Sequence, residues 1–525
     1  MSVDQQTRLL LEILQENKNS DYGERYHFEN ILTEEGFRSH VPVSCYDNYA
    51  PMIELSTRIG ERNIFTSKPL ACYTVATGSF GVPRRIPCTE EYAKICFDSL
   101  KDLFCTRGKT VVLFQCFPRV RPFKDGKYLN SIYGEMLNVW KKWKKGNLGA
   151  RFLSLGSCTS PEELLFASEL YEQTYLRLLF SLQCEDVTQI VAPCTWNVLD
   201  FFMMLEKDWP QLVKDVENGA LSEHVLLSEA SRAVLTARLK KLPKRAAQLR
   251  AIFEQGFDEP VLHKIWPQFA KIIADGSAGF SNYTDKLKKY IGDTPIDYGC
   301  SITAEAMILK NIPGSDEYHL LPEIGYFEFV PVGAGAGSSV TMDALTPGES
   351  YEVLLTSRFG FYRYKLDTVV KMLRYDGGVP VLEKGYRINQ TVSMAGEAMN
   401  EQQVAEAVRK LEAHFALSVY DYCYHPEEDE RCYTVLLETE AADGIAVSDM
   451  ERVLEQELRR VNPAYAAALD AGRLHPCRIR FLAEQTQLLY RDLRFIREQL
   501  PVEVLQPVRY IDTPVKEKFF FGLAR

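Results

Sequence analysis

Apolar residues at Leu10, Ile13 and Leu14, with the polar Asn17 next at the same helical spacing, predict an amphipathic helix docked on a core at the start of the chain. Around residues 109–117 the run KTVVLFQCF is β-branched and aromatic, bounded by charge and by Pro118, and predicts a buried strand. Long helical patterns follow between about 160 and 290. From Tyr351 the pattern turns to alternating strands, EVLLTS and then FGFYRYKLDTVVKMLRY. After them DGGVP and GYRINQ supply the Gly, Pro and polar residues of a break. A domain boundary near 376–387 follows, and beyond it the strand-like YTVLLETE and helices such as MERVLEQELRRVN are enough for a small α+β domain of about 140 residues.

Length agrees with more than one folding unit, since 525 residues exceed a soft prior of roughly 150 per domain. Lys plus Arg number 61 against 71 Asp plus Glu, and the resulting charge of −10 argues against a duplex-binding protein, which is normally basic. The cysteines number 13 and contain no CxxC pair, which reads as reduced thiols and a cytoplasmic location. No stretch of about 18 uncharged apolar residues occurs, and Asp4 and Arg8 fall where a signal peptide would need its own pattern. Neither membrane spanning nor export is expected, and a monomer is the default.

Three stretches invite other readings. Residues 138–146, NVWKKWKKG, interleave Trp140 and Trp143 with lysines, a pattern that stacks on bases or sits at an anionic membrane; the plainer expectation is a helix with tryptophans inward and lysines solvated. GAGAGSS, from Gly333 to Ser339, lacks the Lys-Ser/Thr ending of a P-loop and reads as a hairpin loop. Histidines such as His263, His319 and His425 show no paired metal spacing, and no GxSxG elbow presents a nucleophile, so no metal site or hydrolase is expected.

The stretch from Ala76 to Pro87, ATGSFGVPRRIP, is a turn of small and hydroxylated residues followed by paired arginines, between a strand-like ACYTV and a helix-like run. Backbone N–H groups of such a loop can hold phosphate oxygens while Arg84 or Arg85 neutralises their charge. Thr, Gly and Ser also build ordinary turns.

Around this loop lie NSDYGERYHF, FRSHVPVSCYDNYAPMIE and ERNIFTSKPL, then EKDWPQLVKDVENGAL and IWPQFAKIIADGSAGFSNYTDKLKKY, and later EIGYFEFVP, GESYEVLLTSRFGFYRYKL and MAGEAMNEQQV. On these blocks, in this order over nearly the whole chain, the sequence resembles the plant auxin-responsive acyl-acid amido synthetase family and its bacterial relatives in the acyl-adenylate-forming superfamily. The resemblance implies an α/β fold, with a large N-terminal adenylate-forming domain over 1–380 and a smaller hinged C-terminal α+β cap domain over 381–525. It also implies a reaction in which a carboxylic acid and ATP give an acyl-adenylate, from which an amine, usually of an amino acid, displaces AMP.

The family's first motif is matched by Thr77, Gly78, Ser79, Gly81, Pro83 and Arg84, so the resemblance makes Thr77 to Gly81 the phosphate loop and Arg84 the phosphate cation where relatives carry Lys. Its Tyr-x-x-Ser-Glu motif becomes Tyr298, Gly299, Cys300, Ser301 and Ile302, which sets Tyr298 and Ser301 near adenine and the reacting carboxyl. The Glu that helps to hold Mg²⁺ in relatives is Ile302 here, and Glu305 substitutes for it only if the segment is helical. In the third motif Thr368 stands where an Asp grips the ribose. Asp367 lies one position early, on the opposite face of a strand unless the backbone bulges. Arg387, in Gly385-Tyr386-Arg387, is the family's candidate to reach the nucleotide on domain closure, with a salt bridge as the alternative. Ala398 and Gln506 stand where relatives have Lys, and Lys516 and Lys518 are nearby replacements. The implied ligands are therefore ATP, Mg²⁺, a small carboxylic acid and an amine. Against a working ligase stands a catalytically silent relative that keeps the two-domain shell to bind a small molecule or a protein.

Overall fold

The helix expected at the start of the chain spans Val3–Asn17, with Leu10, Ile13 and Leu14 buried. Buried Asn17 accepts the Thr66 hydroxyl (2.8 Å) and the Ser67 N–H (3.0 Å) at Oδ1, so its polar position ties the helix to the segment before the first strand. The structure, a computed structural model, describes residues 3–60, 63–76, 84–101, 108–114, 116, 123–146, 158–166, 173–276, 280–302, 305–388, 391–439, 444–498, 500 and 505–525. The chain divides into two compact units, Met1–Ala76 with Arg85–Leu366 and Val370–Lys384, and Thr77–Arg84 with Asp367–Val369 and Gly385–Arg525.

In the first unit, Lys109–Val112, Val187–Cys194, Lys271–Asp275 and Ile296–Asp297 form a parallel sheet in that order. Helices such as Thr195–Asn218 and Ser281–Ile291 connect its strands. Parallel strands covered on both faces lose the alternation that marks a strand. That explains why Val187–Cys194 and Lys271–Asp275 are absorbed into a reading of residues 160–290 as helical. The strand expected over 109–117 stops at Val112.

Two further sheets are built mostly from residues of this unit. Arg84–Thr89, Leu70–Ala76 and Leu129–Asn130 make a three-stranded sheet, so the Ala76–Pro87 stretch ends inside a strand, and helix Glu90–Leu100 comes only after it. The seven-stranded sheet runs Gly325–Pro331, Ser350–Ser357, Tyr364–Asp376, Val379–Arg387, Glu317–Leu320, Met307–Asn311, Cys300–Ile302. The GAGAGSS segment is a loop with one 3-10 turn, Ala336–Ser338, leading to a bridge between Val340 and Phe329.

NVWKKWKKG falls on helix Ile132–Gly146 with Trp140 turned inward, and Lys141 lies over the Phe166 ring, 4.1 Å from its centroid. Lys142 pairs with Glu90 at 2.7 Å. The side chain of Trp143 lies outside the described residues.

In the second unit, Val419–Glu427 pairs antiparallel with Cys432–Thr439, which pairs parallel with Arg478–Leu482. Helix Glu401–Phe415 opens on a reciprocal Asn400–Gln403 capping box and, with Val447–Val461, contributes to the apolar core. Among the described residues no helix is long and apolar enough to cross a membrane, and no described cysteine is in a disulfide.

Candidate functional site

Strand Lys271–Asp275 ends where Asp275 gives way to Gly276. A Cβ at Gly276 would lie 2.6 Å from Thr284 Oγ1 and 2.9 Å from both Thr195 Cγ2 and Tyr298 Cε1, so the Tyr298 ring packs straight onto backbone. Glycine is required here for close approach. Gly299, at φ +62, then turns the chain into strand Cys300–Ile302. Tyr298 is half-buried, and burial together with the carboxylates of Asp316, Asp275 and Asp285 pushes its hydroxyl pKa up. This is the carboxyl edge of a parallel sheet, outside which α/β folds bind ligands. At the same edge the Lys384 ammonium donates to Asp275 Oδ2 at 2.7 Å.

Ser301 is buried within its strand, paired with Leu309. Ile302 ends this strand and pairs antiparallel with Met307, so it stands on a strand and not on the helix that would carry Glu305 one turn further on. Glu305 is buried and accepts the Tyr364 hydroxyl at 3.5 Å. No group of three or more His, Cys, Asp or Glu among the described residues could hold a metal ion.

The Tyr362–Val370 segment separates scaffolding from candidate chemistry. Tyr362 is fully buried and its hydroxyl donates to the Phe65 carbonyl at 2.7 Å. Arg363 is buried, with both Glu328 oxygens at 3.0 and 2.9 Å and the carbonyls of Arg38 and Val41 at 2.7 and 2.9 Å. Its guanidinium ties Glu328 to the Arg38 and Val41 carbonyls within the first unit.

Within the second unit, Asp367 has φ +52, a left-handed conformation uncommon for a residue other than glycine. The one-position displacement therefore coincides with a departure from regular strand backbone. The Asp367 carboxylate lies 4.0 Å from the Arg84 guanidinium, with side-chain exposures of 23% and 34%, whereas Thr368 is buried. Of the two ribose candidates, Asp367 is the one that presents a charged oxygen.

Arg387 ends strand Val379–Arg387, half-buried, and its side chain finds no ion-pair partner among the described residues. Thr77, Gly78, Ser79 and Gly81 lie outside the described residues. Glu397 accepts N–H donors from Met394 and Ala395, each at 2.7 Å, and the Tyr433 hydroxyl. Burial opposes its charge, yet these hydrogen bonds hold its carboxyl below the usual range. Lys516 is buried against Asp512 at 2.6 Å; burial lowers its pKa, partly offset by Asp512, while Lys518 is exposed.

Asp275 and Lys384 are absent from the sequence-level site. The signal at Asp275 is an apolar run closed by Asp-Gly, but nothing in the sequence links it to a lysine 109 positions away.

The GH3 family N-terminal domain matches residues 2–296, more than half the chain, and the central and C-terminal domains match 318–387 and 402–497. The chain belongs to the GH3 family. It is 27% identical over 461 residues to jasmonoyl--L-amino acid synthetase JAR4 of Nicotiana attenuata, covering 80% of this chain and 76% of that one. Identity to indole-3-acetic acid-amido synthetase GH3.6 of Arabidopsis thaliana is 25% over 457 residues, 80% of this chain and 73% of that one. The fold is that of GH3.15 acyl acid amido synthetase, at a TM-score of 0.85 and 20% identity, over 100% of this chain and 94% of that one. A 2-hydroxyisobutyryl-CoA ligase in its postadenylation state shares it at 0.54 and 11%, over 99% and 93%. The large and small domains of the adenylate-forming fold, which the motif blocks imply, are thus present in this GH3 chain.

Proposed function

We propose that this GH3 protein is an ATP-dependent amido synthetase, joining a carboxylic acid to an amine, foremost that of an amino acid, through an acyl-adenylate. The observation that carries the reading is the run of relatives named as amido synthetases, matched along about four fifths of the chain or more. In the first half-reaction a carboxylate oxygen attacks the α-phosphorus of ATP and pyrophosphate leaves. In the second an amine nitrogen attacks the acyl carbon, the bond to the phosphate oxygen breaks, AMP departs and the nitrogen loses a proton.

Backbone N–H groups of Thr77, Gly78, Ser79 and Gly81 hold phosphate oxygens, and Arg84 neutralises charge that grows on them. Asp367 accepts the ribose hydroxyls, with buried Thr368 shaping the strand beside it. Tyr298 lies against adenine, Ser301 toward the reacting carboxyl, and Arg387 contacts the nucleotide. The described residues do not fit a dedicated Mg²⁺ cage, because Ile302 replaces the expected carboxylate and Glu305 is engaged by Tyr364, so no step is assigned to a metal here.

A specific observation favours a second reading, a catalytically silent GH3 relative. Charged groups of relatives are lost at Ile302, Thr368 and Ala398, and Lys516 is tied to Asp512. The experiment that separates the two measures AMP release with acids and amino acids supplied singly and together. A ligase releases AMP and forms amide only with both, and loses the activity in Arg84→Ala; no AMP with any pair sinks the ligase reading.

A further inference from the structure

The first unit holds a cavity of about 250 Å³ whose wall includes Ile64, Phe65, Lys68, Leu70, Asp125 and Lys127, none of which has a part in the reaction proposed above. Asp125 is 9% exposed; the hydroxyl of buried Tyr73 donates to its Oδ2 and the Lys127 backbone N–H to its Oδ1, each at 2.9 Å. Both donors are neutral. They orient the carboxylate, leave it lone pairs, and give it no counter-ion among the described residues. Lys127 is half-buried, and its ammonium has no hydrogen-bond acceptor or ion-pair partner among the described residues, Asp125 included. Lys68 differs, because its ammonium is taken by Glu16 at 2.9 Å and by Glu91. The turn that carries the two uncompensated charges is closed by Phe123 N–H to the Lys127 carbonyl at 2.6 Å and tied to helix Tyr46–Ile59 by Lys124 N–H to the Thr57 carbonyl at 2.9 Å.

Withdrawing a charge from water without a partner costs stability, so one unpaired cation and one unpaired anion on the wall of the same cavity call for a ligand that carries both signs. We propose that this cavity binds a free α-amino acid with a small aliphatic side chain, its carboxylate on Lys127, its ammonium on Asp125 and its side chain against Ile64, Phe65 and Leu70. The volume lies below the roughly 300–1,000 Å³ of sites for drug-sized ligands, which suits an amino acid rather than a nucleotide. The site is one of binding and not of reaction, because an amine that attacks an acyl carbon must offer an uncharged nitrogen, whereas Asp125 holds this one as a cation. The proposal does not rest on the ligase reading.

Calorimetric titration of the full chain, without ATP or acid substrate, tests this with L-valine, with isovalerate, which lacks the ammonium, and with isobutylamine, which lacks the carboxylate. L-valine is expected to bind about tenfold or more tightly than either, since each has lost one charge-assisted hydrogen bond. Lys127→Met should weaken L-valine by about tenfold or more and leave isobutylamine within about twofold, while Lys127→Arg keeps most of the L-valine affinity. Asp125→Asn should weaken L-valine to a similar extent and bind isovalerate at least as tightly as the unsubstituted protein. No binding of L-valine at millimolar concentration, equal binding of the three probes, or unchanged L-valine binding in Lys127→Met would each overturn the assignment, the last by placing the amino acid elsewhere. Should Asp125→Asn fail to fold because Tyr73 loses its charged acceptor, Lys127→Met still decides, since its ammonium holds no contact among the described residues. The titrations contain neither nucleotide nor acid, so their failure leaves the ligase reading standing, and failure of AMP release leaves this site standing.

Discussion

Replacing Glu328 by Gln removes one charge from a pair whose side chains are 1% and 6% exposed and leaves the Arg363 guanidinium buried without its counter-charge. The amide can still accept one of the two Arg363 contacts, at 2.9 and 3.0 Å, while its NH₂ group faces the other donor. Breaking a buried pair from one side costs about 3–5 kcal/mol, against 0–1 kcal/mol for an exposed pair. Unfolding entropy of roughly 2.1 cal/mol/K per residue over a unit of about 370 residues gives near 0.8 kcal/mol/K, so the first unit should melt about 4–6 °C lower. Differential scanning calorimetry, with the two units' transitions resolved, reads this directly. Glu328→Leu with Arg363→Met should be less destabilising than either single change, because neither charge is then stranded. A Glu328→Gln cost below about 1 kcal/mol would refute the view that Arg363 organises this unit.

Gly276→Ala forces a methyl to within 2.6–2.9 Å of Thr284, Thr195 and Tyr298 and should displace the Tyr298 ring; steady-state kinetics are expected to show a higher KM for ATP at an unchanged far-ultraviolet circular dichroism spectrum. Asp367→Asn should raise the KM for ATP by about tenfold, with Thr368→Val within about threefold, and the reverse ranking would restore the ribose role to position 368. Glu397 has a folded pKa below its ordinary value, so the stability it contributes is complete above the unfolded carboxyl pKa of about 4.3 and is lost as pH falls through the folded value. Urea titrations of the protein should show the second unit weakening below about pH 4.5, and Glu397→Gln should lower neutral stability by about 1–3 kcal/mol while flattening that dependence.

Legibility in the sequence follows the length scale of the interaction. The helix Val3–Asn17 is readable because one face repeats within a few residues, and the strand pattern after Tyr351 is readable because alternation is local. Val187–Cys194 and Lys271–Asp275 are hidden because burial on both faces erases alternation, leaving short apolar runs among helices. The motif blocks carry the family and its fold, yet they rank Asp367 and Thr368 by position alone; the φ of +52 that sets Asp367 apart is a property of the folded strand. Arg363 sits inside a nucleotide-type motif but spends its donors on Glu328 and on carbonyls more than 300 positions away. Glu397 resembles a remnant of a Gly-Glu-Lys element and instead closes a turn through two N–H groups and Tyr433.

Acid-dependent exchange of labelled pyrophosphate into ATP tests the central claim most directly, because it isolates adenylation from the choice of amine. With a panel of aromatic and aliphatic carboxylic acids, the account predicts exchange with at least one acid, abolished in Arg84→Ala and reduced in Asp367→Asn. ATP binding without exchange for any acid would contradict it and identify this GH3 chain as a nucleotide-binding shell that no longer activates acids.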